Sequence, residues 1–140
     1  MSIIQADIPG AAVLDLYAGS GALGIEALSR GAVHADFVDS SPGSLAVLRA
    51  NLERLGASDW ATIHRRDALR FASQLAPRAY DIAFADPPYR NSAATALASI
   101  WLKAPFASIL GVEHAASEPL TGGDTRRYGT TAITIYRAEE

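Results

Sequence analysis

The segment of residues 81–89, DIAFADPPY, joins a buried-strand pattern to residues that could do chemistry. Apolar residues lead to Asp86, and two prolines and Tyr89 follow it. Each proline fixes its own φ angle, restricts the residue before it and lacks a backbone donor, so the carbonyl oxygens here point in defined directions. The segment therefore predicts a rigid group of acceptors, formed by the Asp86 carboxylate and the Pro87 carbonyl, with the flat ring of Tyr89 beside it.

Such a group of acceptors suits the exocyclic amino group of a nucleobase, because that group has two hydrogens to donate. Bonds to Asp86 and to the Pro87 carbonyl would turn the nitrogen lone pair toward an electrophile, while Tyr89 stacks on the base. The corresponding reaction is direct methyl transfer from a sulfonium. A loop in which two prolines merely end a strand is the structural alternative, and the motifs upstream favour the chemical interpretation.

A glycine-rich loop at residues 15–24, DLYAGSGALG, is the second candidate feature. Gly19, Gly21 and Gly24 match the G-x-G-x-x-G pattern that follows the first strand in many nucleotide-binding sheets. Asp39 stands at the end of the next predicted strand, where it could accept hydrogen bonds from ribose hydroxyls. Together these residues favour a ligand-binding loop over a turn that only permits close packing.

Asp15 separates the two ligand classes that use such a loop. A nicotinamide dinucleotide places its pyrophosphate against the helix N-terminus, where an acid close by is unfavourable. S-adenosylmethionine has no phosphate and carries a cationic sulfonium and a cationic ammonium, which a carboxylate attracts. Asp67, after the third predicted strand, could bond an adenine amino group or cap the following helix, and the two roles are compatible. The sequence therefore favours S-adenosylmethionine.

Strands and helices alternate along the chain in a way that places these motifs at one sheet edge. Strands are predicted at residues 11–16, 34–38, 60–64, 80–85 and 107–113, and helices follow the first four. Ser41 is the expected N-cap of the second helix, with Pro42 at its first position. Residues 130–136 alternate as an antiparallel strand does. This order predicts an α/β fold with a doubly wound, mostly parallel sheet and an antiparallel C-terminal strand.

Composition narrows the function classes. The 140 residues are expected to form a single domain of residues 1–140. With no cysteine there is no thiolate metal site or disulfide, and His34, His64 and His114 lack ligand spacing, so we expect no metal. We find neither a signal peptide nor a membrane-spanning run and expect a cytoplasmic protein. The net charge of −3 shows no general basic excess for nucleic acid, and oligomeric state cannot be read from the sequence.

The motifs LDLYAGSGALGIEALSRGA and FADPPY, in this order and spacing, resemble those of the RsmD-type methyltransferases. That family methylates the guanine N2 amino group of small-subunit ribosomal RNA. The resemblance implies a seven-stranded class I methyltransferase sheet of Rossmann-like type, a flipped or unpaired guanine as target, and residues 86–89 as the amino-group site. It implies S-adenosylmethionine held near the following residues: Asp15, Ala18, Gly19, Gly21, Asp39, Asp67 and Ala68. The implied partner is small-subunit ribosomal RNA or the assembling subunit.

The chain departs from the family in two places. Family members begin with a basic arm that helps to close the cofactor pocket and meets RNA, and no such arm matches here. The region between the fifth and last strands is short, so we expect a vestigial sixth strand near residues 126–128. These departures leave open a cofactor-binding domain that is inactive without its arm or a partner. Because the DPPY pattern also serves adenine amines, an adenine-N6 methyltransferase acting on DNA or RNA is a second alternative. A nicotinamide oxidoreductase is the third, and Asp15 and DPPY argue against it.

Overall fold

The computed structural model of the chain describes residues 2–139, with the side chains of residues 4–139. Its strands are β1 Ala12–Leu16, β2 His34–Asp39, β3 Ala61–Arg65, β4 Tyr80–Ala85, β5 Ala107–Ala115, β6 Asp124–Tyr128 and β7 Thr131–Arg137. Its α-helices are α1 Ala22–Ser29, α2 Pro42–Arg54, α3 Ala68–Ser73 and α4 Ala93–Lys103, and short 3-10 helices occupy Ser2–Asp7 and Ser58–Trp60. No helix within the described residues has the length and apolarity needed to cross a membrane.

All seven strands form one sheet in the order β3-β2-β1-β4-β5-β7-β6. The first five strands are parallel, β7 runs antiparallel to β5, and β6 runs antiparallel to β7. The predicted doubly wound sheet with an antiparallel C-terminal strand is confirmed. The expectation of a vestigial sixth strand is wrong: β6 has five residues and pairs with β7 over its whole length, from Asp124 opposite Ile135 to Tyr128 opposite Thr131.

Two apolar layers cover the two faces of the sheet, because successive residues of a strand point to opposite sides. Leu14 and Leu16 of β1 pack with the buried side chains of α3 and α4, including Phe71 and Trp101. On the opposite face, Val13 packs with the buried side chains of α1 and α2. The 3-10 helix at the N-terminus adds Ile4 to this second layer. Helices on both faces therefore hold the strand ends in fixed positions.

Local sequence signals start the helices at the carboxyl edge of the sheet. Pro42 occupies the first turn of α2, and the Ser41 hydroxyl accepts a hydrogen bond from the Ser44 amide at 3.3 Å. Asp67 caps α3 in the same way, accepting from the Arg70 amide at 2.9 Å. The third strand begins at Ala61, one residue later than predicted, because residues 58–60 form a 3-10 turn.

The register of the parallel strands aligns the candidate motifs. Leu16, the last residue of β1, pairs with Val38 of β2 on one side and with Ala85 of β4 on the other. Ala85 in turn pairs with Val112 of β5. The glycine loop, Asp39 and the DPPY segment therefore leave the sheet from neighbouring positions on one edge.

Candidate active site

The glycine loop after β1 has an unusual backbone conformation, which backbone hydrogen bonds stabilise. Tyr17 has a φ of 59°, which residues other than glycine rarely adopt, and Gly19 and Gly21 have φ angles of 57° and 85°. The Ala18 amide donates to the carbonyl of Val38 at 3.0 Å, and the Gly21 amide donates to the carbonyl of Ala18 at 2.8 Å. A non-glycine residue held at positive φ is more common at functional sites than elsewhere.

The three glycines of the motif serve different purposes. A Cβ on Gly21 would lie 2.2 Å from Leu48 Cδ1, and one on Gly24 would lie 2.4 Å from Phe37 Cε1, so both positions need glycine for packing. A Cβ on Gly19 would meet nothing within 4 Å. The space beside Gly19 is thus open, which gives a ligand close access to the backbone there.

Asp39 ties the glycine loop to the end of β2. Its Oδ2 atom accepts a hydrogen bond from the Gly19 amide at 2.9 Å, and its Oδ1 atom accepts one from the Ser41 amide at 2.8 Å. Each carboxylate oxygen has a second lone pair, and the side chain is partly exposed. Asp39 is therefore fixed in orientation and still able to accept from hydroxyl groups of a ligand.

Asp15 is a buried carboxyl group beneath the loop, with a relative exposure of 1%. Its Oδ2 atom accepts from the Gly24 amide at 3.0 Å. Burial raises the pKa of Asp15 from 3.8 to about 7; the Gly24 bond lowers it, and the negative charges of Asp86 and Asp39 raise it. The three carboxyl groups are therefore close enough to affect one another, and a cation placed among them would be stabilised.

The end of β3 contributes Asp67 and Ala68. Asp67 is exposed and caps α3, which confirms its predicted capping role, whereas its role toward adenine stays a prediction. Ala68 is buried against the core. Burial raises the pKa of the Tyr17 hydroxyl to about 12, and the charge of Asp67 contributes, so Tyr17 of the glycine loop lies near this strand end.

The DPPY segment lies directly beside the glycine loop. Asp86 is exposed, Pro87 is buried and Tyr89 has 54% of its surface exposed. The Tyr89 hydroxyl lies 3.2 Å from the Thr131 hydroxyl at the start of β7. Asp86 and Tyr89 are therefore both accessible to a ligand, while the buried proline holds the segment between them.

A second acid at this edge, Glu113, was missed by the sequence interpretation, which used it only as the end of a strand. Because Ala85 pairs with Val112, the next residues, Asp86 and Glu113, stand side by side. A hydrogen bond that the protonated Glu113 carboxyl donates to Asp86 is the main cause that raises the pKa of Glu113, and burial and the charge of Asp86 add to it. An acid as the last residue of the predicted fifth strand was the available signal, since parallel strands bring their carboxyl ends to the same edge; β5 itself continues to Ala115.

Asp86 and Glu113 line one cavity of about 330 Å³. Leu23 of α1, Phe84 of β4 and Ile133 of β7 form part of its apolar wall. The cavity thus extends from the start of α1, directly after the glycine loop, to the paired acids. Within the described residues, no group of three or more His, Cys, Asp or Glu side chains has an arrangement that could hold a metal ion.

Comparison with known proteins gives consistent matches. A family model described as "Conserved hypothetical protein 95" matches residues 1–137. Ribosomal RNA small subunit methyltransferase D of Haemophilus influenzae is 34% identical over 134 residues, which cover 89% of this chain and 68% of that protein. The solved H. influenzae protein HI0767 superposes with a TM-score of 0.85 at 26% identity, covering 99% of this chain and 93% of that one.

A more distant structure shares the fold. The RNA methyltransferase from Salinibacter ruber, solved in complex with S-adenosyl-L-homocysteine, has a TM-score of 0.76 at 14% identity and covers 97% of this chain and 87% of its own. At this identity the likeness concerns the fold, which is that of Rossmann-like methyltransferases. With a family model that spans nearly the whole chain and relatives that share its sequence and fold, the chain belongs to the "Conserved hypothetical protein 95" family, the RsmD-type methyltransferases.

Proposed function

We propose that this protein transfers a methyl group from S-adenosylmethionine to the exocyclic N2 amino group of a guanine in small-subunit ribosomal RNA, as a single methyltransferase domain acting in the cytoplasm. The observation that carries the proposal is the pairing of Leu16 with Ala85. The glycine loop follows the first of these residues and DPPY follows the second, so a cofactor loop and an amine site lie side by side. The related methyltransferase D of H. influenzae supports the RNA substrate.

The residues of the glycine loop fit a cationic cofactor. Asp15, Asp39 and Asp86 bring negative charge to this edge, and the open space at Gly19 permits close approach to the backbone. A dinucleotide would instead bring its phosphates next to the buried carboxyl of Asp15, which is unfavourable. When bound, S-adenosylmethionine supplies an electrophilic methyl carbon whose transfer leaves a neutral thioether.

The DPPY residues would orient the amine and stabilise its charge. The Asp86 carboxylate and the Pro87 carbonyl accept its two hydrogens, and Tyr89 stacks on the base. Such orientation of reactants can supply on the order of 7 to 11 kcal/mol. Positive charge develops on the nitrogen as its new bond to carbon forms, and the Asp86 carboxylate stabilises that charge. The alkylated amine then loses a proton, for which Asp86 is the nearest acceptor in this arrangement.

An exposed edge beside Tyr89 suits RNA. Tyr128 pairs with Thr131, whose hydroxyl lies near that of Tyr89, so the β6–β7 hairpin adjoins the amine site. Arg126 and Arg127 are exposed on the same strand, and Tyr128 has 55% of its surface exposed. Arginines can neutralise phosphates and exposed aromatic rings can stack on bases. This local chemistry supports an RNA partner despite the net charge of −3.

The proposal is tested by methyl transfer to immature small ribosomal subunits with isotopically labelled S-adenosylmethionine, followed by mass spectrometry of the nucleosides. We expect labelled N2-methylguanosine and, by calorimetry, binding of S-adenosylhomocysteine. Binding without transfer would contradict the proposal and support the cofactor-binding domain that needs an arm or partner. Labelled N6-methyladenosine would support the adenine alternative, and binding of NADH without binding of S-adenosylhomocysteine would support an oxidoreductase.

A further inference from the structure

The Asp86–Glu113 pair is the most concentrated polar feature of the cavity. Both residues directly follow paired positions of adjacent parallel strands, Ala85 of β4 and Val112 of β5. Residues two apart on a strand share a face, so Asp86 lies on the face of Phe84, and Glu113 on the face of Gly111. Phe84 and Gly111 line the same cavity as the two acids. The two carboxyl groups therefore stand next to each other at its polar end.

The rest of this cavity suits a flat aromatic ring. Apolar side chains from separate elements line it, among them Ile4 of the N-terminal 3-10 helix, Leu23 of α1, and Ile133 and Ile135 of β7. Its volume of about 330 Å³ is within the range of small-ligand sites. An apolar cavity with two adjacent acceptors, whose wall includes Ala22 and Leu23 directly after the glycine loop, has the chemistry of a base-binding site.

The pairing edge of guanine matches two adjacent acceptors. Its N1–H and its N2 amino group are neighbouring donors, whereas adenine and cytosine place an acceptor nitrogen next to their amino group. Two carboxylates side by side therefore attract guanine and repel the lone pair that the other two bases would present. Without a ligand, a proton between Glu113 and Asp86 keeps two like charges from meeting. With guanine bound, its N1–H and its amino group supply the two donors, and both carboxyl groups can accept as carboxylates.

We propose that Glu113 is a specificity-determining residue that accepts a hydrogen bond from guanine N1–H, while Asp86 accepts from the N2 amino group. This inference rests on the proposed function and deepens it, because Asp86 alone does not distinguish a guanine amine from an adenine amine. The raised pKa of Glu113, caused mainly by its bond with Asp86, supports the closeness of the two groups.

A binding experiment tests this role without requiring turnover. A short oligouridine RNA carries either a central guanine or a central 2-aminopurine, which keeps the 2-amino group but has a lone pair instead of a hydrogen at N1. The fluorescence emission of 2-aminopurine falls when the base stacks. Titration of the 2-aminopurine RNA with the full chain, in the presence of S-adenosylhomocysteine, therefore gives the affinity for that RNA. Competition by the guanine RNA then gives the affinity for guanine. The variants are Glu113→Gln, Glu113→Asp and the charge-matched control Glu53→Gln, on the exposed surface of α2.

We expect the wild type to prefer guanine RNA, and Glu113→Gln to reduce that preference by about tenfold, because the new amide can donate to the lone pair at N1. Glu53→Gln should keep the full preference for guanine RNA. Glu113→Asp keeps the charge and should still prefer guanine RNA. The inference is overturned if Glu113→Gln has the wild-type preference. It is also overturned if the wild type binds the two RNAs equally or binds neither, or if both substitutions at Glu113 weaken the two RNAs alike.

Parallel transfer assays separate this inference from the proposed function. A wild type that selects guanine in binding but transfers no methyl group would sink the proposed function and leave the role of Glu113 intact. A wild type that methylates guanine while Glu113→Gln does so with an unchanged KM and an unchanged preference would sink only the role of Glu113.

Discussion

The acids of the sheet edge are held differently in two halves. In the proposed cofactor half, at the ends of β1, β2 and β3, the acids accept from backbone amides, whereas in the proposed base half, at β4 and β5, the two acids bond to each other. Asp15, Asp39 and Asp67 each accept from at least one backbone amide. Among the described residues, no such amide bond reaches Asp86 or Glu113. The cofactor half is therefore preorganised, and the base half keeps its acceptors for a ligand.

This contrast implies that substitutions have different effects in the two halves. A backbone amide that loses its acceptor destabilises the folded state. Substitutions in the cofactor half should therefore reduce the free energy of unfolding as well as the affinity for the cofactor. Changes in the base half should reduce substrate use while the free energy of unfolding stays nearly constant.

Gly21→Ala should have the largest effect on stability. The residue has a φ of 85°, and its new Cβ would lie 2.2 Å from Leu48 Cδ1. Left-handed strain of about 1–2 kcal/mol and overpacking of about 1–3 kcal/mol act together, so we expect a loss of about 2–5 kcal/mol. Gly19→Ala is the matched control, because it has a φ of 57° but open space. Denaturant unfolding that gives equal losses for both would contradict the packing explanation.

Asp39→Ala should follow, with a loss of about 1–3 kcal/mol, because the amides of Gly19 and Ser41 would lose their acceptor. Affinity for S-adenosylhomocysteine should fall with it. Asp67→Ala removes only a helix cap and should lose about 1 kcal/mol. Unfolding curves and calorimetry of the two variants measure both quantities. A smaller effect at Asp39 than at Asp67 would mean that the glycine loop does not depend on Asp39.

Asp15 should make the binding of S-adenosylhomocysteine depend on pH. Its pKa is raised from 3.8 to about 7, so the folded state holds a proton that the unfolded state loses. The stability from this proton is complete below pH 3.8 and is lost as pH rises through about 7. A bound ammonium favours the ionised form. Binding of S-adenosylhomocysteine should therefore release a proton from Asp15 below about pH 7. Its affinity should rise with pH up to about 7, by a factor that approaches tenfold per pH unit.

Calorimetry in buffers of different ionisation enthalpy measures this proton release. Asp15→Asn is the control, since an amide oxygen can still accept from the Gly24 amide but cannot titrate. Its affinity should vary little between pH 5.5 and 7, the interval over which the wild-type affinity increases. An equal slope in both proteins would show that another group is responsible.

Glu113→Gln should have the smallest effect on stability. The side chain is only partly buried, and the substitution removes a charge next to Asp86. We therefore expect the free energy of unfolding to stay within about 0.5 kcal/mol of the wild type or to rise, as measured by denaturant unfolding. A loss comparable with that of Asp39→Ala would show that the base half is held together by its acids, and the contrast between the halves would fail.

The sequence predicted most of the fold because its local signals agree with one another. Ser41 with Pro42, and Asp67, mark helix starts by their own chemistry, and the alternation of strands and helices leaves few topologies. The expectation of a vestigial sixth strand was wrong because every residue of β6 is exposed, so its sequence has no hydrophobic alternation to mark it as a strand. Its pairing with β7 is a tertiary interaction that local pattern does not reveal.

The two halves of the site also differ in how well the sequence predicts them. Asp39 and the glycines lie within motifs of fixed spacing, so their meeting at one edge follows from the strand order. Glu113 belongs to no motif, and its position beside Asp86 depends on the register of β5 against β4. The cavity beside them is formed by side chains of five separate elements, whose packing no local pattern predicts.

If the glycine loop holds a methyl donor beside an amine that Asp86 binds, Asp86→Asn should slow methyl transfer without weakening cofactor binding. The measurement compares the rate of N2-methylguanosine formation with the affinity for S-adenosylhomocysteine in the same preparation. We expect a rate lower by on the order of a hundredfold or more, with an affinity within about threefold of the wild type. An undiminished rate would contradict this arrangement.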